Sequence, residues 1–403
     1  MPPLLSVLRP TGALLLFALL LGTGCKRLEK DLPPAVTAAI QSVQEKHCPD
    51  RRLCVFNVQV VMLGANLKLT GELSDPRVRN ELVAAVKEAA PNFKVEEEIR
   101  LLPDETLGGR RFAIVRTAVA NMRSAPEHPA ELSNQLLMGS LLSLLKKERG
   151  WYYAQAEDGY LGWLPSSSLK VVTQEGLDAW LAGDLVAFNR LDGVVHHEPR
   201  AGALPVSALV WGCTLRRLET LESKTGAGKQ KWVRVELPDG RQGFVEAELL
   251  SERDKVFPTT PGTTAGVVAT AQKFLGVPYL WGGTSPNGFD CSGFTQMVFR
   301  LNGVALLRDA SQQARQGDAV DAGRNFENLQ PADLLFFGEQ EDRISHVAIS
   351  LGGPRFIHAS DFVEINSLAE EDEDYSAYRR ETFRFARRHA ALQPSPAPAA
   401  GSD

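Results

Sequence analysis

Three residues in the last third of the chain, Cys291, His346 and His358, have the types and the order that thiol hydrolysis needs. Cys291 sits within GVPYLWGGTSPNGFDCSGFTQMVFR, residues 276–300. There a glycine-rich stretch gives way to Phe294, Met297, Val298 and Leu301 at helical spacing, and Asn302-Gly303 offers a stop. The spacing predicts a helix whose first turn carries the cysteine, with Asp290 as its cap. Unpaired N–H groups and the helix dipole favour an anion at that position, so the thiol is expected to titrate low and to act as a nucleophile. The competing reading is a buried structural cysteine. His346, in ISHVAISLGG, and His358, in RFIHAS, each lie on a short apolar strand, and one sheet could bring them face to face. A cysteine nucleophile needs a base and a polar group that fixes the base's tautomer, and these meet in space rather than in sequence. A lone histidine on an apolar strand is more often a core residue; the ordered trio is what points to chemistry.

The segments that carry the trio resemble the NlpC/P60 family of cysteine peptidases, papain-like enzymes that cut bacterial cell-wall peptides. PYLWGG at 278–283, FDCSGF at 289–294, DLLFFG at 333–338, SHVAIS at 345–350 and FIHAS at 356–360 carry the likeness, which spans 262–388. The resemblance implies Cys291 as nucleophile, His346 as general base and then acid, His358 as its orienting partner, and Tyr279 as the tyrosine that lines the site beside the cysteine.

The elements that must position this site come earlier in the chain. Residues 1–25 hold Arg9, an apolar run from Gly12 to Leu21, and then Gly22-Thr23-Gly24-Cys25. The run is about half the ~20 residues that span a bilayer, so it reads as a signal peptide rather than a transmembrane helix. A cysteine after small residues resembles a bacterial lipobox, which implies lipidation at Cys25, an exported chain anchored to a membrane of the cell envelope, and the periplasmic side in a Gram-negative cell. With 403 residues the chain has room for two to four domains, and its net charge of −5 offers no general attraction to nucleic acid or to anionic membranes. Of five cysteines, Cys48 and Cys54 flank a turn-like stretch and could form a disulfide in an oxidising compartment, while Cys213 reads as a small buried side chain.

Residues 35–104 alternate helix and strand: a helix over 35–44, strands in CVFNVQVVML and NLKLTGEL, a helix from Pro76 to Ala90 and a closing strand FKVEEEIRLL. This order resembles a BON-like α/β module, carries no chemical constellation, and leaves its purpose open. Next, an internal repeat appears at an offset of 81, with Trp151, Asp158, Gly159, Gly162 and Leu169 matched by Trp232, Asp239, Gly240, Gly243 and Leu250. Each Asp-Gly between apolar strands is a hairpin signal, and two small β-barrels are predicted over 110–173 and 180–253. The first resembles bacterial SH3-type modules. The second carries Arg241 and Phe244 where the first has Tyr160 and Trp163. Ser251 to Thr264 reads as a linker, and 389–403, rich in Pro, Ala, Gly and Ser, as a disordered tail. The fold class expected is therefore multidomain α+β: a papain-like catalytic domain preceded by two SH3-like barrels and a small α/β module.

Two barrels before such a domain resemble the YkfC-like branch of the family, dipeptidyl peptidases for short wall fragments. That resemblance implies cleavage of the γ-D-glutamyl–diamino acid bond in tri- or tetrapeptide stems with a free N-terminal L-alanine. It also implies that the first barrel closes the site and reads the amino terminus through Tyr160 and an acid, here Glu131. Asp290, Ser292, Ser311 and Trp281 complete the expected substrate-binding set. Tyr160 could instead be barrel core and Glu131 a solvated charge. No metal or cofactor motif stands out, none is expected to be needed, and a monomer is expected. The alternatives are a zinc hydrolase using Cys291, His346, His358 and Asp333, a non-catalytic wall-binding lipoprotein, and an endopeptidase acting on intact peptidoglycan.

Overall fold

The computed structural model describes residues 32–225, 228–340 and 343–394, so the expected signal peptide with Cys25 and residues 395–403 lie outside the described part. Pro34 at the first turn starts the helix Pro34–His47, and Asp75 caps Pro76–Ala89 by accepting from the Arg77 N–H. Both helices lie on a three-stranded sheet. Phe56–Leu63 pairs antiparallel with Asn66–Leu73, which pairs parallel with Lys94–Leu101. A parallel pair needs a crossover, and the second helix supplies it. Leu67, Leu69, Leu82 and Val86 are completely buried between the layers.

The 81-residue repeat folds as two seven-stranded sheets with the same strand order. In the first, the spatial order is 169–172, 112–115, 141–148, 151–156, 161–165, 119–123, 132–137. In the second it is 250–252, 185–188, 214–225, 228–236, 242–246, 192–196, 205–210, the same succession of equivalent strands. Even the register repeats, since Trp151 faces Pro165 as Trp232 faces Glu246. Cys213 is fully buried, as its apolar surroundings require, and burial pushes its thiol up to about 12.

The last domain packs the helices Thr264–Gln272 and Cys291–Arg300 on an antiparallel six-stranded sheet. Its central strands are apolar without alternation because both faces are covered. Leu334, Phe336, Val347, Ile349 and Ile357 pack in the core that holds the helix residues Phe294, Met297 and Val298. The intervening Leu335, Phe337, Ala348 and Phe356 pack in a second core with Phe326 and Leu368. The described chain stays packed beyond 389, where disorder is expected, because Leu392 is buried in the first of these cores and Gln393 bridges to Thr263.

Candidate active site

Cys291 opens its helix, and Asp290 is the N-cap: its Oδ1 accepts from the Gly293 N–H at 2.6 Å and its Oδ2 from the Gly282 N–H at 3.0 Å. A Cβ on Gly293 would lie 2.1 Å from the Gly283 carbonyl oxygen, so only glycine lets the loop close over the helix start. Beneath the cap lies Arg308, with 1% of its surface exposed. Its guanidinium grips Asp290 through both terminal nitrogens, at 2.6 and 3.0 Å, and also donates to Ser292 Oγ at 3.0 Å and Asn134 Oδ1 at 3.1 Å. Burial alone would lower the Arg308 pKa, yet the Asp290 carboxylate overrides it and raises it.

The two histidines meet. His346 Nε2 and His358 Nδ1 are 2.8 Å apart, and His358 Nε2 is 2.8 Å from Asn366 Oδ1. This chain sets the tautomers. An amide oxygen only accepts, so His358 carries its proton on Nε2 and accepts through Nδ1; His346 must then donate from Nε2, which leaves its Nδ1 unprotonated. The free base of the pair is therefore His346 Nδ1. Burial holds His346 well below the ordinary imidazole range, with the Arg379 charge and His358 adding to the effect. Burial also brings His358 down to about 4, against the opposing bond to Asn366.

The thiol departs from expectation. Burial pushes Cys291 up to about 12 and the Asp290 carboxylate adds to it, outweighing the Val347 and Ser292 main-chain N–H groups and Arg308. Desolvation beats the helix dipole here because the sulfur is enclosed and the capping group beside it is itself an anion. The resting site thus holds a neutral thiol and a neutral imidazole. Among the described residues no hydrogen bond joins Sγ to either ring; the N–H that lowers the thiol most belongs to Val347, the residue after His346. Tyr279 borders the same cleft, and burial, followed by the Cys291 charge, raises its phenol.

The cleft over the cysteine has a volume of about 610 Å³, and it is lined by every residue expected to bind substrate: Tyr160, Glu131, Asp290, Ser292, Ser311 and Trp281. One wall is the first barrel. Glu131 Oε1 accepts from Trp281 Nε1 at 2.8 Å, Tyr160 OH donates to Asp309 Oδ2 at 3.2 Å, and Thr284 Oγ1 donates to the Gln135 carbonyl at 2.6 Å. Gly282 takes a φ of +75°, and a Cβ there would sit 2.2 Å from the Leu132 carbonyl oxygen, so backbone meets backbone where barrel and catalytic loop join. Asp290 lines the cleft with both oxygens already engaged.

Sequence reasoning missed Arg308, Asp309 and Asn366, as well as Arg51 and Arg52 of the N-terminal module, which also line the cleft. A lone arginine or asparagine carries no local pattern. The one available signal was Asn366 alternating with Glu364 on the strand next to His358. A separate cavity of about 760 Å³ includes Asp333 and Arg388, which pair with each other at 2.7 Å.

The bacterial dipeptidyl-peptidase SH3 domain profile matches residues 122–169, and the NlpC/P60 family profile matches residues 276–383. The chain is 30% identical over 271 residues to the gamma-D-glutamyl-L-lysine dipeptidyl-peptidase of Bacillus cereus, a match covering 62% of this chain and 75% of that one. It is 29% identical over 277 residues to dipeptidyl-peptidase 6 of Lysinibacillus sphaericus, covering 67% of this chain and 95% of the relative. A crystal structure of an NlpC/P60 family protein from Bacillus cereus superposes with a TM-score of 0.57 at 25% identity, covering 69% of this chain and 99% of that one.

Proposed function

The chain belongs to the NlpC/P60 family of cysteine peptidases, and from that membership and the geometry of the cleft we propose that it hydrolyses the γ-D-glutamyl–diamino acid bond of peptidoglycan stem peptides with a free N-terminal L-alanine. The observation that carries this reading is the conjunction of a cysteine at a helix start, a tautomer-fixed pair of imidazoles and a cleft walled on one side by the first barrel. The names of the similar Bacillus and Lysinibacillus peptidases support it.

In this mechanism Cys291 Sγ attacks the γ-carbonyl carbon as its proton passes to His346 Nδ1, and the oxyanion is held by the Cys291 main-chain N–H and neighbouring donors. His346 then gives the proton to the departing amine, leaving a thioester. Water, deprotonated by the same nitrogen, releases the acid. His358 and Asn366 keep the ring in the tautomer this cycle requires. Because thiol and imidazole are both neutral at rest, the ionic pair is made during attack rather than stored beforehand. Glu131 and Tyr160 would read the substrate ammonium group, and the barrel wall would exclude a longer glycan-linked chain.

The lipobox-like run ending at Cys25 supports export and lipid anchoring at the cell envelope; incorporation of labelled palmitate, lost in Cys25→Ala, tests it. The activity is tested by mass spectrometry of digests of L-Ala-γ-D-Glu-diamino acid tripeptide and of intact sacculi. Cleavage of the tripeptide alone, abolished in Cys291→Ala, supports the reading. Release of peptides from sacculi refutes the walled-cleft part, and undiminished turnover by Cys291→Ala refutes the thiol mechanism.

A further inference from the structure

The N-terminal module reaches into the active site. Its segment 48–54 is closed by a disulfide between Cys48 and Cys54, and it docks on the first barrel: the Arg52 carbonyl accepts from the Leu161 N–H at 2.8 Å and the Leu53 carbonyl from Gln155 Nε2 at 2.9 Å. From there Arg52 crosses to the catalytic domain, where Nη1 donates to Asp309 Oδ2 at 2.8 Å and to Ser311 Oγ at 3.1 Å. Asp50 holds the same guanidinium from behind and also accepts from Gln312 Nε2 at 2.8 Å. Burial would raise the Asp50 carboxyl, but its bonds to Arg52 and Gln312 keep it at about 2, so it stays an anion. Elsewhere, Lys146 of the barrel pairs with Glu72 of the module at 2.8 Å, and Val55 and Leu102 pack with Leu145 and Leu161. Three parts of the chain therefore share one cleft.

Three of the five charged residues lining that cleft are paired. Asp290 is matched by Arg308 and Asp309 by Arg52. Two charged groups are left over among the described residues. Glu131 has only the neutral Trp281 Nε1–H as a partner, and Arg51, exposed and lining the cleft near Tyr153, has no carboxylate partner. One spare anion and one spare cation on the barrel side fit a ligand that bears one ammonium and one carboxylate. An alanyl residue γ-linked to glutamate is such a ligand, because γ-linkage leaves the glutamate α-carboxylate free.

Resting on the proposed hydrolase reading, we propose that the disulfide-closed loop of the N-terminal module is a specificity-determining wall of the active site, in which Arg51 binds the free α-carboxylate of the γ-linked glutamate. Arg52 is a positioning residue: it fixes Asp309 and Ser311 and leaves Arg51 as the cation the substrate meets.

The test compares the L-Ala-γ-D-Glu-diamino acid tripeptide with its counterpart in which the glutamate α-carboxylate is an amide, using the full chain and its Arg51→Gln variant. Wild-type protein is expected to favour the acid by about tenfold, in KM rather than kcat, the effect of one charge-assisted contact. Arg51→Gln, an exposed change that should leave folding intact, is expected to erase that preference by raising KM for the acid alone. An unchanged acid-to-amide ratio in Arg51→Gln overturns the assignment while leaving the hydrolase reading in place. Wild-type protein that cuts neither peptide overturns both.

Discussion

Replacing Arg308 with methionine removes the cation beneath the nucleophile's helix while keeping most of its volume. The structure gives the size of the loss. Asp290, 8% exposed, would lose both guanidinium contacts and remain a nearly buried, unpaired carboxylate, and Ser292 and Asn134 would each lose a donor. Removing one partner of a buried ion pair costs about 3–5 kcal/mol. The double variant Asp290→Asn/Arg308→Met separates charge from contact. Asparagine can still cap Gly293 through its single oxygen but cannot also accept from Gly282, so the charge penalty disappears and about 2 kcal/mol remains for the lost hydrogen bonds. Hydrogen exchange of the Gly293 amide at pH 7.5 reports the local opening free energy. Expected values are a loss of about 3–5 kcal/mol in the single variant and recovery of about 2 kcal/mol in the double. A single variant within about 1 kcal/mol of native, or a double variant no better than the single, would refute the assignment of Arg308 as the support of the cap.

Asn366→Ala removes the acceptor that fixes His358, and so the tautomer of His346; kcat for the tripeptide should drop by up to about 10²-fold with KM little changed, and a variant with native kcat would show that the relay ends at His358. His358 is held at about 4 in the fold against 6.5 when exposed, and His346 is lowered as well; the unfolded chain therefore binds more protons below 6.5, and stability complete above that pH is lost as pH falls towards 4, on the order of 3 kcal/mol from His358. Denaturation midpoints at pH 7.5 and 4.5 check this, with His358→Gln expected to show the shallower fall and equal slopes counting against it. Opening the loop with Cys48→Ser and Cys54→Ser should cost the module about 2 kcal/mol and raise KM for the tripeptide without lowering kcat; an unaltered KM would show that the disulfide does not hold the arginines in the cleft.

Much of the architecture was legible because it rests on local periodicity. The 81-residue offset placed Trp151 over Trp232, and the two sheets share one strand order. Phe294, Met297 and Val298 marked the helix, and its buried face carries them. The histidines were legible because apolar strands advertise polar exceptions. What stayed hidden depends on pairing across long sequence distances: Asp290 with Arg308, Tyr160 with Asp309, and Arg52 with residues about 257 positions away. Such pairings leave no mark on either partner's neighbours. The thiol's direction was misjudged for a related reason, since a helix start is visible in sequence but the depth at which it is buried is not.

The duplicated sheets also show how a copied fold comes to divide its labour. In the first copy the hairpin tip touches the chemistry: Asp158 accepts from Gln296 on the nucleophile's helix, and Tyr160 faces Asp309. In the second copy the equivalent Asp239 and Arg241 bind each other and turn back to Arg116 and Val206. The later copy has become a buttress for the earlier one. A change of curvature where it meets the first copy, at Gly139 against Thr214, would therefore be transmitted to the catalytic cleft, and the strands of the second copy that share a core with Phe294 and Met297 of the nucleophile's helix are equally constrained.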